Sequence, residues 1–217
     1  MLPIHAPARR CFLTPIPQLS TAADLLASAA DRLLEGDAPN ARQLVAEADM
    51  PVIGAYTALV TGAVNPLVHG QSAMPAGAVG LERSAQRMPS SSVERAIYVR
   101  DGWRCRYCGT RVIDRSMRAR LHRCLPDVAR WGARNADKHT ALAALSASLD
   151  HIVPHSRGGT NDEPNLVTAC NACQFGRGQW TLDEVGFWDP REYPPVLDEW
   201  DGLTRLGRLA DAFNIPQ

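Results

Sequence analysis

The sequence predicts an α+β fold: a helical N-terminal module, then a small metal-stapled core built on short strands and interrupted by a basic helical insertion. Three observations predict it. Apolar residues recur at helical spacing from Thr21 onward, two Cys-x-x-Cys pairs stand 61 residues apart, and the chain turns β-like only between Ser148 and Pro154.

The N-terminal module comes first, over residues 1–64. Thr21 and Asp24 resemble a capping box, and Leu25, Leu26, Ala29, Leu33 and Leu34 follow at helical spacing, so a helix is expected from 21 to 35, ending at Gly36. A second helix begins after Asn40 and stops near Pro51; a third apolar run covers Val52 to Val64. Residues 65–92 are rich in Pro, Gly, Ser and Ala and read as a linker. The core follows over 93–180, opened by a short helix from Val93 to Asp101. Its helical insertion covers about 110–147, with helices expected at Asp114–His122, Asp127–Arg134 and His139–Ser146. Residues 181–217 are expected to pack on the core.

Composition bounds the function. With 45% hydrophobic and 21% charged residues and no run near the ~18 apolar residues of a membrane span, no membrane partner is expected. Arg9 and Arg10 superficially resemble an export signal, but Pro15, Pro17 and Asp24 leave no apolar stretch behind them, so the expected location is cytoplasmic. The net charge is zero, yet residues 93–140 hold 12 Arg and Lys against 5 acids, a block of +7. Such a block reads as a phosphate-facing surface; its rival reading is an acidic C-terminal segment folded back over it.

Four of the six cysteines form two chelating pairs, Cys105 with Cys108 and Cys170 with Cys173. Two such pairs meet the tetrahedral four-thiolate preference of structural Zn²⁺. Their separation exceeds the roughly 15 to 20 residues of a simple zinc ribbon, as expected if a domain sits inside the loop. Cys11 and Cys124 read as ordinary thiols, and Trp103, Trp180 and Trp188 as packing around the zinc core.

Just before the second pair lies Leu149-Asp150-His151-Ile152-Val153-Pro154, then Gly158-Gly159, then Asn165-Leu166-Val167. These segments and the flanking cysteine pairs resemble the HNH endonucleases, nucleases of the ββα-metal class; the lead-in from Arg100 to Gly109 is similar to their first zinc knuckle. The resemblance covers residues 95–178 apart from the insertion. It implies a zinc-stapled ββα-metal core in which His151 is the general base, Asp150 a ligand of one Mg²⁺ or Mn²⁺ ion, and Asn165 the residue that holds the loop and aims the His151 ring. The position after the last zinc cysteine, usually His or Asn, is Gln174 here. Its carbonyl is a hard donor, but its extra methylene displaces that donor by roughly 1.5 Å, so it reads equally as a ligand or as the mark of an altered site.

Phosphodiester hydrolysis needs a hard cation to stabilise charge and a base to activate water, which Asp150 and His151 supply by type. Arg177 is expected as a phosphate clamp, and Arg157 and His155 as loop contacts to the substrate backbone. The implied activity is endonucleolytic cleavage of nucleic acid, DNA in preference to RNA. Two other readings stay open: a non-catalytic zinc-stabilised module that binds nucleic acid or protein, and a defence effector activated by a partner protein on the N-terminal helices.

Overall fold

The computed structural model describes Cys11, residues 13–61 and residues 87–209. The expected linker therefore lies largely outside the described residues, as do Arg9 and Arg10. Among the described residues no single helix is long and apolar enough to cross a membrane.

Helix α1 spans Pro17–Leu34 and buries Leu19, Ala22, Ala23, Leu26, Ala29, Ala30 and Leu33 on one face. It begins four residues before the expected Thr21, because Pro17 at its first position has the fixed φ a helix start requires. Thr21 makes no cap; its hydroxyl donates back to the Pro17 carbonyl at 3.5 Å. Gly36 follows the end of α1 at φ 81°, a left-handed conformation open to glycine. Helix α2, Ala38–Ala48, is capped by Asp37, whose carboxylate accepts the Asn40 N–H at 3.3 Å. Helix α3, Pro51–Thr61, buries Ile53, Tyr56 and Val60.

These helices are part of the core. α4 spans Ser91–Arg100, α5 Arg115–Cys124 and α6 Thr140–Ala144. Strand β1, Ser148–His151, pairs antiparallel with β2, Leu166–Ala169, in the register Asp150 opposite Val167 and His151 opposite Leu166. α7, Asn171–Arg177, follows β2 directly, giving a strand, strand, helix unit, and the short α8 covers Leu182–Val185. α3 packs on both α6 and α7. The buried His139 ring hydrogen-bonds the Val45 carbonyl at 2.8 Å, and Asp49 accepts the Thr140 N–H at 2.7 Å.

The insertion opens and closes on one parallel bridge, Ile113 with Ser146. α5 is capped by Asp114, which accepts the Ser116 N–H at 2.7 Å. The helix expected from Asp127 to Arg134 is absent: Pro126 to Val128 form a turn and the chain runs on through bends to a short 3-10 turn at Asn135–Asp137. Gly132 lies so near Asp137 that an added Cβ would stand 2.6 Å from that side chain, and the Trp131 ring covers Arg118 at 3.7 Å, contacts that a helix there would break.

Much of the basic block is tied to other parts of the protein, although none of its twelve cations is buried and Arg95, Arg115, Arg123, Arg130 and Arg134 are exposed. Arg104 pairs with Asp198, Arg111 with Asp24, Arg115 with Glu94 and Arg130 with Asp49. Arg106 donates to the Pro190 and Tyr193 carbonyls and Arg120 to those of Leu206 and Leu209. The C-terminal segment thus folds back over the block. Trp200 donates to the Val112 carbonyl at 2.9 Å, and Gly202 admits the Trp103 ring where a Cβ would clash at 2.4 Å. Trp103 is buried and Trp180 partly buried as expected; Trp188 is 45% exposed and does not pack into the zinc core.

Candidate functional site

The two cysteine pairs converge. The first knuckle turns through Gly109 at φ 78°, with the Cys105 N–H bonded to the Thr110 carbonyl at 2.8 Å, and docks on β2 through Arg106 N–H to the Thr168 carbonyl at 2.9 Å. The second is the first turn of α7. The sulfurs of Cys105, Cys108, Cys170 and Cys173 all lie within 4.8 Å of one another, with Cys108 and Cys170 3.6 Å apart. Four thiolates at ~2.3 Å from one ion would stand ~3.8 Å apart in a tetrahedron, so the geometry fits Zn²⁺. Asp101, 1% exposed, locks the lead-in to the sheet by accepting the Thr168 N–H at 2.7 Å.

β1 carries Asp150 and His151 into a cleft of about 570 Å³, lined also by His155, Ser156, Gln174 and Phe175. Asn165 holds the loop between the strands. Its amide accepts the Val153 N–H at 2.8 Å and donates to the Val153 carbonyl at 3.2 Å and the Thr160 carbonyl at 2.8 Å. The same loop brings Gly159 against the Val153 carbonyl, where an added Cβ would sit at 1.7 Å. The loop delivers Asn161, whose Oδ1 lies 2.8 Å from His151 Nε2. An amide oxygen only accepts, so in the neutral ring this contact puts the proton on Nε2 and the lone pair on Nδ1. Asn165 thus aims the ring through the loop, and Asn161 touches it.

Asp150 is held on every side. Arg177 grips it in a bidentate pair, Nε to Oδ2 at 3.0 Å and Nη2 to Oδ1 at 2.7 Å, and the Tyr107 hydroxyl donates to Oδ2 at 2.9 Å. The remaining guanidinium hydrogens go to the carbonyls of His151 at 2.5 Å, Ile152 at 3.3 Å and Trp180 at 2.7 Å. Burial opposes the Arg177 charge, but the Asp150 carboxylate outweighs it and holds the guanidinium pKa above its ordinary value. Burial and the same carboxylate push the Tyr107 hydroxyl well above its usual range, so it stays a donor.

One expectation changes here, and two residues gain partners within the protein. Arg177, 1% exposed, is no phosphate clamp, because its donors are all engaged inside the protein. Arg157 faces Glu184 at 2.9 Å, anchoring the loop to α8. Gln174 accepts the Ser148 hydroxyl with its carbonyl oxygen while its amide reaches the Leu149 carbonyl at 3.5 Å, so it is tied to β1 at the edge of the cleft. His155 lines the cleft as expected, its ring 6.1 Å from that of His151. Asn161 and Tyr107 were missed; Asn161 sits two residues beyond the Gly-Gly turn and Tyr107 inside the first knuckle, positions whose spacing marks proximity to the site but not partnership.

Residues 137–174 match a family model described as HNH endonuclease. The match takes in β1, the loop, β2 and the second cysteine pair, and it ends on Gln174. No curated protein matches the chain, and no solved structure does. The matched region supports a nuclease-type function acting on nucleic acid, and the four clustered thiols support a zinc site.

Proposed function

We propose that the chain is a metal-dependent endonuclease that hydrolyses phosphodiester bonds in nucleic acid, DNA in preference to RNA, with His151 as general base on a zinc-stapled ββα-metal core. The observation that carries the reading is the His151–Asn161 contact at 2.8 Å at the cleft, because it leaves Nδ1 ready to take a proton from water. Asn165 supports the same ring by fixing the loop.

The donors for a catalytic ion are fewer than the resemblance implies. Asp150 Oδ1 accepts one hydrogen bond, from Arg177, and retains a lone pair, so it fits a Mg²⁺ or Mn²⁺ ion that takes its other ligands from water and substrate phosphate. Gln174 Oε1 accepts the Ser148 hydroxyl and would join through its second lone pair or by giving that hydroxyl up. When bound, such an ion stabilises negative charge on the phosphate and the leaving oxygen. His151 accepts the proton of the attacking water and Arg177 keeps the Asp150 carboxylate fixed.

Incubation of the zinc-loaded protein with plasmid DNA and with structured RNA, each with Mg²⁺, Mn²⁺ or EDTA, tests this. Cleavage is expected with Mg²⁺ or Mn²⁺, and His151→Ala should lower its rate by about 10² to 10⁴ with zinc content unchanged. A variant that cuts within about threefold of the parent overturns the assignment.

A second reading, a non-catalytic zinc-stabilised nucleic-acid-binding module, is favoured by one observation: the only carboxylate of the motif is neutralised by a buried arginine while Gln174 is tied to Ser148. Binding without cleavage by any metal, with cleavage gained in Gln174→His, would select it.

A further inference from the structure

Phe175 is 54% exposed, beside His151 in the same cleft. The buried residues of α7 are Ala172, Cys173, Gly176 and Arg177, which face the strands and the cysteine cluster; Phe175 projects from the opposite, polar face. Its ring meets no other aromatic ring and no cation among the described residues. Two neighbours sharpen the picture. Met88, 37% exposed, lines the cleft as well, and so does Arg87, which forms no ion pair or hydrogen bond with the described residues. The arginines of the basic block are mostly engaged within the protein, whereas this one at the cleft is not. With Asp150 neutralised by Arg177, the cleft presents a cation, two imidazoles and an uncovered phenyl ring.

Resting on the nucleic-acid reading above, we infer that Phe175 is a stacking platform for an unpaired nucleobase next to the phosphate at His151. A positively charged groove with an aromatic plate is the arrangement by which single strands are gripped, and it tolerates any base because every base has a π face. Within a duplex the bases offer only their edges to a groove, so a ring on a helix reaches a base face only where the base is unstacked. The substrate class is therefore single-stranded or locally unpaired nucleic acid, and a duplex is taken where it opens.

The test uses the full zinc-loaded chain without added Mg²⁺ or Mn²⁺, and oligonucleotides of about 12 nucleotides, within the span of a single-strand groove. DNA and RNA versions, single-stranded and duplex, carry 2-aminopurine; anisotropy reads affinity and fluorescence reads stacking. Phe175→Ala and Phe175→Leu are expected to weaken single-strand binding roughly 10-fold and to abolish quenching, while Phe175→Trp keeps both and duplex affinity stays put. Because Phe175 is exposed, thermal midpoints should not move, which separates loss of the ring from loss of the fold. The effect on the DNA strand, the RNA strand or both identifies the source of the base. Parent-like single-strand affinity and quenching in Phe175→Ala overturn the stacking role alone. Failure of the parent to bind any nucleic acid overturns this role together with the proposed function.

Discussion

Removing Arg177 is the sharpest perturbation of this structure, because one side chain ties β1, α7 and Trp180 together while neutralising Asp150. In Arg177→Met the volume is nearly kept, so the cavity contribution is small. The Asp150 carboxylate, whose side chain is 9% exposed, is left with Tyr107 as its one remaining partner from this trio. Breaking a buried ion pair from one side costs about 3–5 kcal/mol. Three backbone carbonyls also lose a donor, at about 1 kcal/mol each where water cannot replace it. The expected loss is roughly 3–8 kcal/mol, depending on how many carbonyls water reaches, a large share of the ~5–15 kcal/mol of a typical domain.

Urea unfolding of the zinc-loaded protein, followed by tryptophan fluorescence, measures this loss, and a double-mutant cycle apportions it. Replacing both partners by apolar groups is often neutral for a buried pair, so Asp150→Leu combined with Arg177→Met should recover much of what Arg177→Met loses. A loss below about 1 kcal/mol in Arg177→Met, or strict additivity in the cycle, would refute the placement of a charged pair in a dry site.

Three further perturbations are informative. Elemental analysis should find one zinc per chain, and Cys170→Ser should unfold the core, since such sites contribute folding free energy directly; a folded, zinc-free protein contradicts this. Asn161→Ala should lower kcat about 10- to 100-fold with KM unchanged, and Asn161→Asp, which still accepts from Nε2, should restore most of it; equal effects of the two assign Asn161 to folding alone. His139 is pulled below 6.5 by burial, against the opposing pull of the Val45 carbonyl and the Asp49 carboxylate. Its folded-state pKa is depressed and the unfolded chain binds the proton first, so this contribution is complete above about pH 6.5 and is lost as pH falls through the folded value. Urea midpoints that stay flat from neutral pH to about pH 5 would rule this out.

The chemistry of the core was legible because it is local. Cys-x-x-Cys, Asp150-His151 and the Gly-Gly turn are spacings a few residues long, and each chelates, turns or pairs within its own neighbourhood. Asn165 bonds to Val153 and Thr160 of its own loop, a short-range role of the same kind. What failed depended on residues far away in sequence. Arg177 was assigned outward because a lone arginine on a helix gives no sign of a carboxylate 27 positions earlier. The Asp127–Arg134 stretch has helical residue types, yet Trp131 is held over Arg118 and Gly132 against Asp137. Periodicity does not register such contacts.

Charge was the least legible property, and the reason bears on the substrate surface. The chain uses 22 arginines and one lysine, and a planar guanidinium is suited to fixed ties between segments. Several of its pairs join the N-terminal helices and the C-terminal segment to the rest: Arg111 to Asp24, Arg130 to Asp49, Arg205 to Asp31. These pairs are partly exposed and contribute about 0–1 kcal/mol each, so they orient more than they bind. The stronger attachment is apolar, through Ile53, Tyr56 and Val60 of α3, which packs on α6 and α7. α7 also carries Cys173, with Cys170 at its N-cap, together with Gln174, Phe175 and Arg177. A partner protein gripping the N-terminal helices would therefore act on the cleft through the α3–α7 contact, and a substitution there that leaves zinc bound but changes substrate affinity would be the sign of that coupling.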